Sequence, residues 1–240
     1  MPVEGFLNIS AIAPRIEGPR GADRGFIAGR SGAGKSFLAR RILTTYGISE
    51  NWPKEFRGNV FIIDPNGNFD YPNEGEFDTV EEVKLDRKAR TLRYIPNHDQ
   101  LDALHWNALW EKLFLCRFPL LTYVDETRAM EPLFGRVRFE RGNFFTAYLT
   151  RGRALGKSAI MGAQRPVTIP RDIIGQAEWF YVFDLPLEDD RTTIAGTIGE
   201  FSVDGERIRD RKNLKRYEFW FKGPEDETGI IDPVKAQIIR

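Results

Sequence analysis

The sequence predicts an α/β protein in which a mostly parallel central sheet carries helices on both faces, followed by a small C-terminal β and basic extension. Three observations predict it. Residues 29 to 36 read Gly29-Arg30-Ser31-Gly32-Ala33-Gly34-Lys35-Ser36, a complete G-x-x-x-x-G-K-S phosphate loop directly after the apolar run Phe26-Ile27-Ala28. Short apolar runs alternate with stretches of helical periodicity, as expected of parallel strands joined by crossover helices. The run Leu120 to Val124 ends in the acid pair Asp125-Glu126.

In chain order, Gly25 to Ala28 is a buried strand, and from Phe37 apolar residues recur at helical spacing until Gly47 stops the helix. Asn59 to Ile63 is a continuous β-branched and aromatic run that delivers Asp64 to its carboxyl end, before the turn cluster Asp64-Pro65-Asn66-Gly67. Thr91 to Ile95 alternates and stops at Pro96. Leu101 to Cys116 is helical, with Trp106 and Trp110 one turn apart as a core pair, base stacking being the alternative. Leu120 to Val124 is a strand, Phe144 to Leu155 a helix ended by Gly156, and Ser158 to Ala163 and Trp179 to Phe183 are strands. The tail turns basic between Arg207 and Arg216, and Tyr217 to Phe221 is an aromatic strand before Gly223-Pro224.

Lysine plus arginine and aspartate plus glutamate both number 35, so no global field draws the chain to nucleic acid or to a membrane, and any DNA contact is local. The single Cys116 cannot form an internal disulfide and sits in an apolar run, as a small hydrophobe would. His98 and His105 are the only histidines, and no cluster has zinc spacing, so magnesium is the metal to expect. The N-terminus lacks a signal-peptide pattern, and no run approaches the roughly 20 apolar residues of a membrane span. The 240 residues read as one domain with a core over about 22–200 and an extension over 201–240.

The octet carries the first chemistry. Glycines let the backbone curl around a phosphate while the following helix presents its N-terminal amides to the charge. There Lys35 reaches the β and γ phosphates of ATP and Ser36 ligates Mg²⁺. The competing reading is a glycine-rich turn before an ordinary helix. The acid pair resembles a Walker B motif, with Asp125 holding the Mg²⁺ shell and Glu126 orienting or deprotonating the attacking water. The same two acids also suit the N-cap of a following helix. Asp64, closing a neighbouring strand, is either structural or a support for the site.

A longer resemblance follows from Arg153-Ala154-Leu155-Gly156, the apolar strand after it and Ala163-Gln164-Arg165-Pro166, together with Ile62-Ile63-Asp64-Pro65-Asn66-Gly67. These segments resemble the FtsK and HerA superfamily of DNA-translocating ATPases, over about residues 22 to 184. Ala163 departs from the Thr or Ser common at its position. The resemblance implies a RecA-like (ASCE) P-loop NTPase fold with Gln164 as the polar sensor of the γ-phosphate or lytic water. It also implies a homo-oligomeric ring, pentamer or hexamer, in which Arg153, or else Arg151, reaches a neighbour's nucleotide. The alternative for each arginine is a solvated helix-end cation.

The small size and missing anchor look most like the genome-packaging ATPases of membrane-containing icosahedral phages. That implies double-stranded DNA and a capsid or portal-vertex protein as partners, with action in the host cytoplasm or at the packaging vertex. DNA contact falls to Arg136, Arg138 and Arg141, or to the tail cations Arg207, Arg209, Arg211, Lys212, Lys215 and Arg216. Two rival functions remain at this stage: an assembly protein that uses ATP as an oligomerisation switch, and a small-molecule kinase.

Overall fold

Among the described residues, nine strands hydrogen-bond into one sheet, and both of its faces are covered. The computed structural model describes residues 16–17, 21–48, 59–135, 142–199, 202–203, 206–207, 209–210, 214, 216–224 and 234–237. The strands are β1 (Arg24–Ala28), β2 (Asn59–Ile63), β3 (Gly75–Phe77), β4 (Thr91–Tyr94), β5 (Leu120–Val124), β6 (Lys157–Ala163), β7 (Trp179–Val182), β8 (Glu218–Lys222) and β9 (Val234–Gln237). Their order is β9-β8-β7-β1-β6-β5-β2-β4-β3. All pairings from β7 to β3 are parallel; β8 runs antiparallel to β7 and to β9. The C-terminal β extension is thus built as a continuation of the central sheet.

The helices are α1 (Lys35–Ile48), α2 (Ala103–Leu115), α3 (Glu131–Phe134), α4 (Phe144–Arg151), α5 (Arg171–Ile174) and α6 (Glu188–Ile198). Side chains alternate across a strand, and the two cores follow that parity. Phe26, Phe61, Ile63 and Val124 join Trp106 and Trp110 of α2 and Phe145 and Tyr148 of α4 on one face. Ile27, Val60, Ile62, Leu121 and Tyr123 meet Leu38 and Ile42 of α1 on the other. The tryptophan pair is fully buried, and Trp110 packs against the rings of Phe145 and Tyr148. This is why the central strands read as unbroken apolar runs rather than alternating ones.

Several boundaries differ from the sequence expectation: β4 stops at Tyr94, β7 at Val182, and α4 at Arg151, where a 3₁₀ turn over Gly152–Leu155 takes over. Helix α1 runs to Ile48, past Gly47. Helix α2 begins at Ala103 because the Asp102 carboxylate caps it, accepting from the Leu104 N–H at 2.7 Å and the His105 N–H at 3.0 Å. Tyr217 lies in a turn before β8, with φ of 70°.

The strand order places β6 between β1, which feeds the phosphate loop, and β5, which feeds the acid pair. That insertion requires a close approach. A Cβ on Gly162 of β6 would stand 2.5 Å from the Asp125 carbonyl oxygen, so only glycine lets the two strand ends converge.

Candidate functional site

The site lies at the carboxyl ends of β1, β6 and β5, where ligands of open parallel sheets bind. The loop leaving β1 is fastened on both sides. The Gly29 N–H donates to the Ala163 carbonyl of β6 at 3.1 Å, and the Arg30 N–H donates to the Asp184 carbonyl beyond β7 at 3.0 Å. Arg30 Nε also pairs with the Asp184 carboxylate at 2.8 Å. Gly32 and Gly34 have φ of 74° and 121°, conformations that L side chains rarely adopt. The loop is therefore a held, curled backbone rather than an ordinary glycine turn.

Lys35 folds back into this curl, its ammonium donating to the Gly29 carbonyl at 2.7 Å and the Arg30 carbonyl at 3.1 Å. Burial lowers its pKa, while the neighbouring charges of Glu126 and Asp125 oppose that shift. Ser36 Oγ donates to Asp125 Oδ1 at 3.4 Å, and the Tyr123 hydroxyl donates to the same oxygen at 2.7 Å. Burial raises the Asp125 pKa against those hydrogen bonds, with the nearby Asp64 adding to the rise.

Burial also raises the Glu126 pKa, opposed by hydrogen bonds from the Arg128 and Gln164 backbone amides and by Lys35. Glu126 does act as an N-cap, of the short turn Thr127–Met130, through the Arg128 N–H at 3.4 Å. The capping alternative and the catalytic candidacy thus meet in one residue.

A cavity of about 230 Å³ opens over the loop. Ser31, Gly32, Gly34, Lys35 and Ser36 line it together with Asp125 and Gln164. Glu126 is not in the lining; its charge acts on Lys35 and Asp125, which are. Ser36 and Asp125 offer one hydroxyl and one carboxylate at a shared point, a hard-oxygen pair suited to Mg²⁺ that completes its shell with phosphate oxygens and water. Among the described residues no cluster of three or more His, Cys, Asp or Glu could hold a metal unaided.

Asp64 takes the structural role. Fully buried, it accepts from the Phe69 N–H at 2.8 Å and pairs with Arg93, pinning the loop that brings Asn66 and Asn68 to the cavity. Arg153 lies elsewhere. It pairs with Glu178, which also accepts from the Arg24 N–H, at the amino ends of β1 and β7. Five residues of β1 separate that cluster from the loop, roughly 16 Å along an extended strand. Arg153 and Arg151 are both exposed and both remote from the chain's own phosphate loop. Arg165 and the Val167 N–H are held by Asp190 of α6, at 2.7 and 3.1 Å, which fixes the turn after Gln164.

Sequence reasoning missed five lining residues: Phe37, Asn66, Asn68, Arg216 and Tyr217. Phe37 directly follows the phosphate motif and Asn66 sits in a segment already singled out, so both were within reach of a local reading. Tyr217 and Arg216 come from the tail, and no local pattern announces them. Arg207 and Arg209 are exposed, whereas Arg216 belongs to the cavity. Arg136, Arg138, Arg141, Arg211, Lys212 and Lys215 lie outside the described residues.

Known proteins resemble the chain in sequence and in fold. The chain is 26% identical over 189 residues to the DNA packaging ATPase P9 of Enterobacteria phage PRD1, covering 76% of this chain and 73% of that protein. No family model matches the chain. In fold it resembles the genome packaging NTPase B204 of Sulfolobus turreted icosahedral virus 2, solved in complex with ATP-gammaS, with a TM-score of 0.63 and 17% identity over 93% of this chain and all of that one. It also resembles VirB4 of Thermoanaerobacter pseudethanolicus, with a TM-score of 0.64 and 11% identity over 98% of this chain and 93% of that one. The chain thus has the α/β P-loop fold of these proteins, and its sequence is similar to that of a phage DNA packaging ATPase.

Proposed function

We propose that the chain is a viral genome-packaging ATPase: a homo-oligomeric ring that hydrolyses ATP to move double-stranded DNA, working at the packaging vertex with a capsid or portal protein. One observation carries the reading. The inserted strand β6 brings Gln164 to the same sheet end as Lys35, Ser36, Asp125 and Glu126, so a terminal phosphate, a cation and an attacking water have a polar partner each. The similarity to packaging ATPase P9 supports the biological assignment.

Lys35 exchanges its two backbone carbonyls for the β and γ phosphate oxygens. Ser36 and Asp125 would hold Mg²⁺, which when bound would neutralise charge developing on the phosphoryl oxygens. Glu126 orients the water and takes its proton, an assignment favoured by a pKa raised toward working pH. Gln164 positions the water against the γ-phosphate. Remote from the chain's own loop, Arg153 or Arg151 serves the nucleotide of the neighbouring subunit.

The test is steady-state ATPase activity at ring-forming protein concentrations, with and without double-stranded DNA. DNA-stimulated turnover is the expected result. Turnover in assembled rings that ignores DNA would overturn the translocase and leave an ATP-dependent assembly switch.

A further inference from the structure

Arg216 and Tyr217 belong to neither the phosphate loop nor the acid strand, yet they line the same cavity as Lys35, Ser36 and Gln164. Their backbone is built for that position. Tyr217 has φ of 70°, and it is the non-glycine residue at positive φ among the described residues. For a bulky side chain this is an outlier, of the kind that the surroundings must impose. The imposing contacts come from the phosphate loop. The Tyr217 N–H donates to the Ala33 carbonyl at 2.8 Å, and a Cβ placed on Gly34 would stand 2.7 Å from Tyr217 Cδ1. The Tyr217 ring meets Phe37 of α1 edge-on at 5.3 Å, and the Arg216 guanidinium lies 5.0 Å from the Tyr217 ring centroid.

The sheet order gives this aromatic turn its side of the site. Asp125 and Gln164 leave β5 and β6, on one side of β1; the turn leads into β8, on the other side. A triphosphate whose terminal group lies among Asp125, Gln164 and Lys35 carries its ribose and base away from them, toward Phe37 and Tyr217. There a tyrosine ring with a guanidinium over it offers a flat π surface and a cation, the two features that hold a nucleobase by stacking. We propose that the Arg216–Tyr217 turn is the base platform of the nucleotide site, against which the purine of ATP stacks. The proposal rests on the reading of the cavity as an ATP site and adds the group that distinguishes a nucleotide from bare polyphosphate.

Binding of AMPPNP and of inorganic tripolyphosphate, each with Mg²⁺, tests it by calorimetry on the full chain. Stacking on one base is worth about a five- to 150-fold change in affinity on alanine substitution. Tyr217→Ala is therefore expected to weaken AMPPNP about tenfold while leaving tripolyphosphate within about twofold, and Tyr217→Phe to restore AMPPNP. Equal losses for both ligands would show that Tyr217 only props the phosphate loop. Unchanged AMPPNP affinity would place the base elsewhere. Either result overturns the platform.

Tyr217→Trp, which keeps a ring, covers the case in which the alanine variant does not fold. Its fluorescence in excess of the wild type is expected to be quenched by AMPPNP and not by tripolyphosphate, and equal response to both would again sink the idea. Lys35→Ala is expected to lose both ligands. If it binds both normally, it is the nucleotide-site reading itself that fails.

Discussion

Glu126 carries two loads that oppose each other. Its burial raises the pKa above the ordinary 4.5, so the folded chain retains a proton that the unfolded chain releases. Stability of the nucleotide-free protein therefore falls as pH rises through the window that opens near 4.5 and ends at the raised folded value. Glu126→Gln removes that penalty and is expected to raise the nucleotide-free melting temperature, by about 2–4 °C for each kcal/mol relieved in a chain of this size. The same substitution is expected to slow hydrolysis about 100-fold or more and to abolish the acid limb of the pH–rate profile while ATP still binds. Melting curves and a pH–rate series on the one variant check both halves. Lys35→Ala is expected to lose nucleotide binding, and normal turnover would remove the phosphate-loop assignment.

The site residues that the sequence announced are those whose chemistry demands consecutive positions, Gly29 to Ser36 and Asp125-Glu126. Gln164 needed the Arg-Pro context that follows it. Tyr217 was hidden because its place beside Gly34 comes from the antiparallel return of the tail, which has no short-range signature.

At the scale of elements, the join between β5 and β6 is the most exacting. Gly162→Ala would drive a methyl into the Asp125 carbonyl, displacing the acid pair from the phosphate loop. The expected cost is about 1–3 kcal/mol in chemical denaturation, with a loss of turnover larger than that destabilisation explains. The other end of β6 is held by a buried cation. Lys157 donates to the carbonyls of Cys116 at 2.7 Å and Phe118 at 2.6 Å, closing the loop between α2 and β5. Lys157→Met keeps the stem and strands those carbonyls, for an expected loss of about 2–4 kcal/mol read from the urea midpoint.

The strands β2 and β5 matched the sequence expectation to the residue because both are buried on both faces and closed by acids. Helix α2 started two residues later than its periodicity suggested. Asp102 fits the polar side of the repeat as well as it fits a cap, and only its hydrogen bonds distinguish the two.

For the whole molecule, the ring is the claim to challenge. Mixing Arg153→Ala chains with Lys35→Ala chains is expected to restore part of the ATPase activity, because an intact phosphate loop in one chain meets an intact arginine from the next. If the mixed rings form and stay inactive, Arg153 is only the partner of Glu178, and the same mixture with Arg151→Ala is the next comparison. The arginine cluster was legible in the sequence as a motif. Its place at the opposite end of the sheet from the phosphate loop follows from its position before β6, once β6 is parallel to β1.

That placement gives β6 a mechanical character. It is seven residues long, roughly 23 Å, buried throughout and bonded to a parallel neighbour along each side. Lys157–Met161 pair with β5 and Ala159–Ala163 with β1, so each end is held by a neighbour. Gln164 stands at one tip and Arg153 just before the other, so one buried strand links the cavity to the Arg153–Glu178 pair at the opposite edge of the sheet.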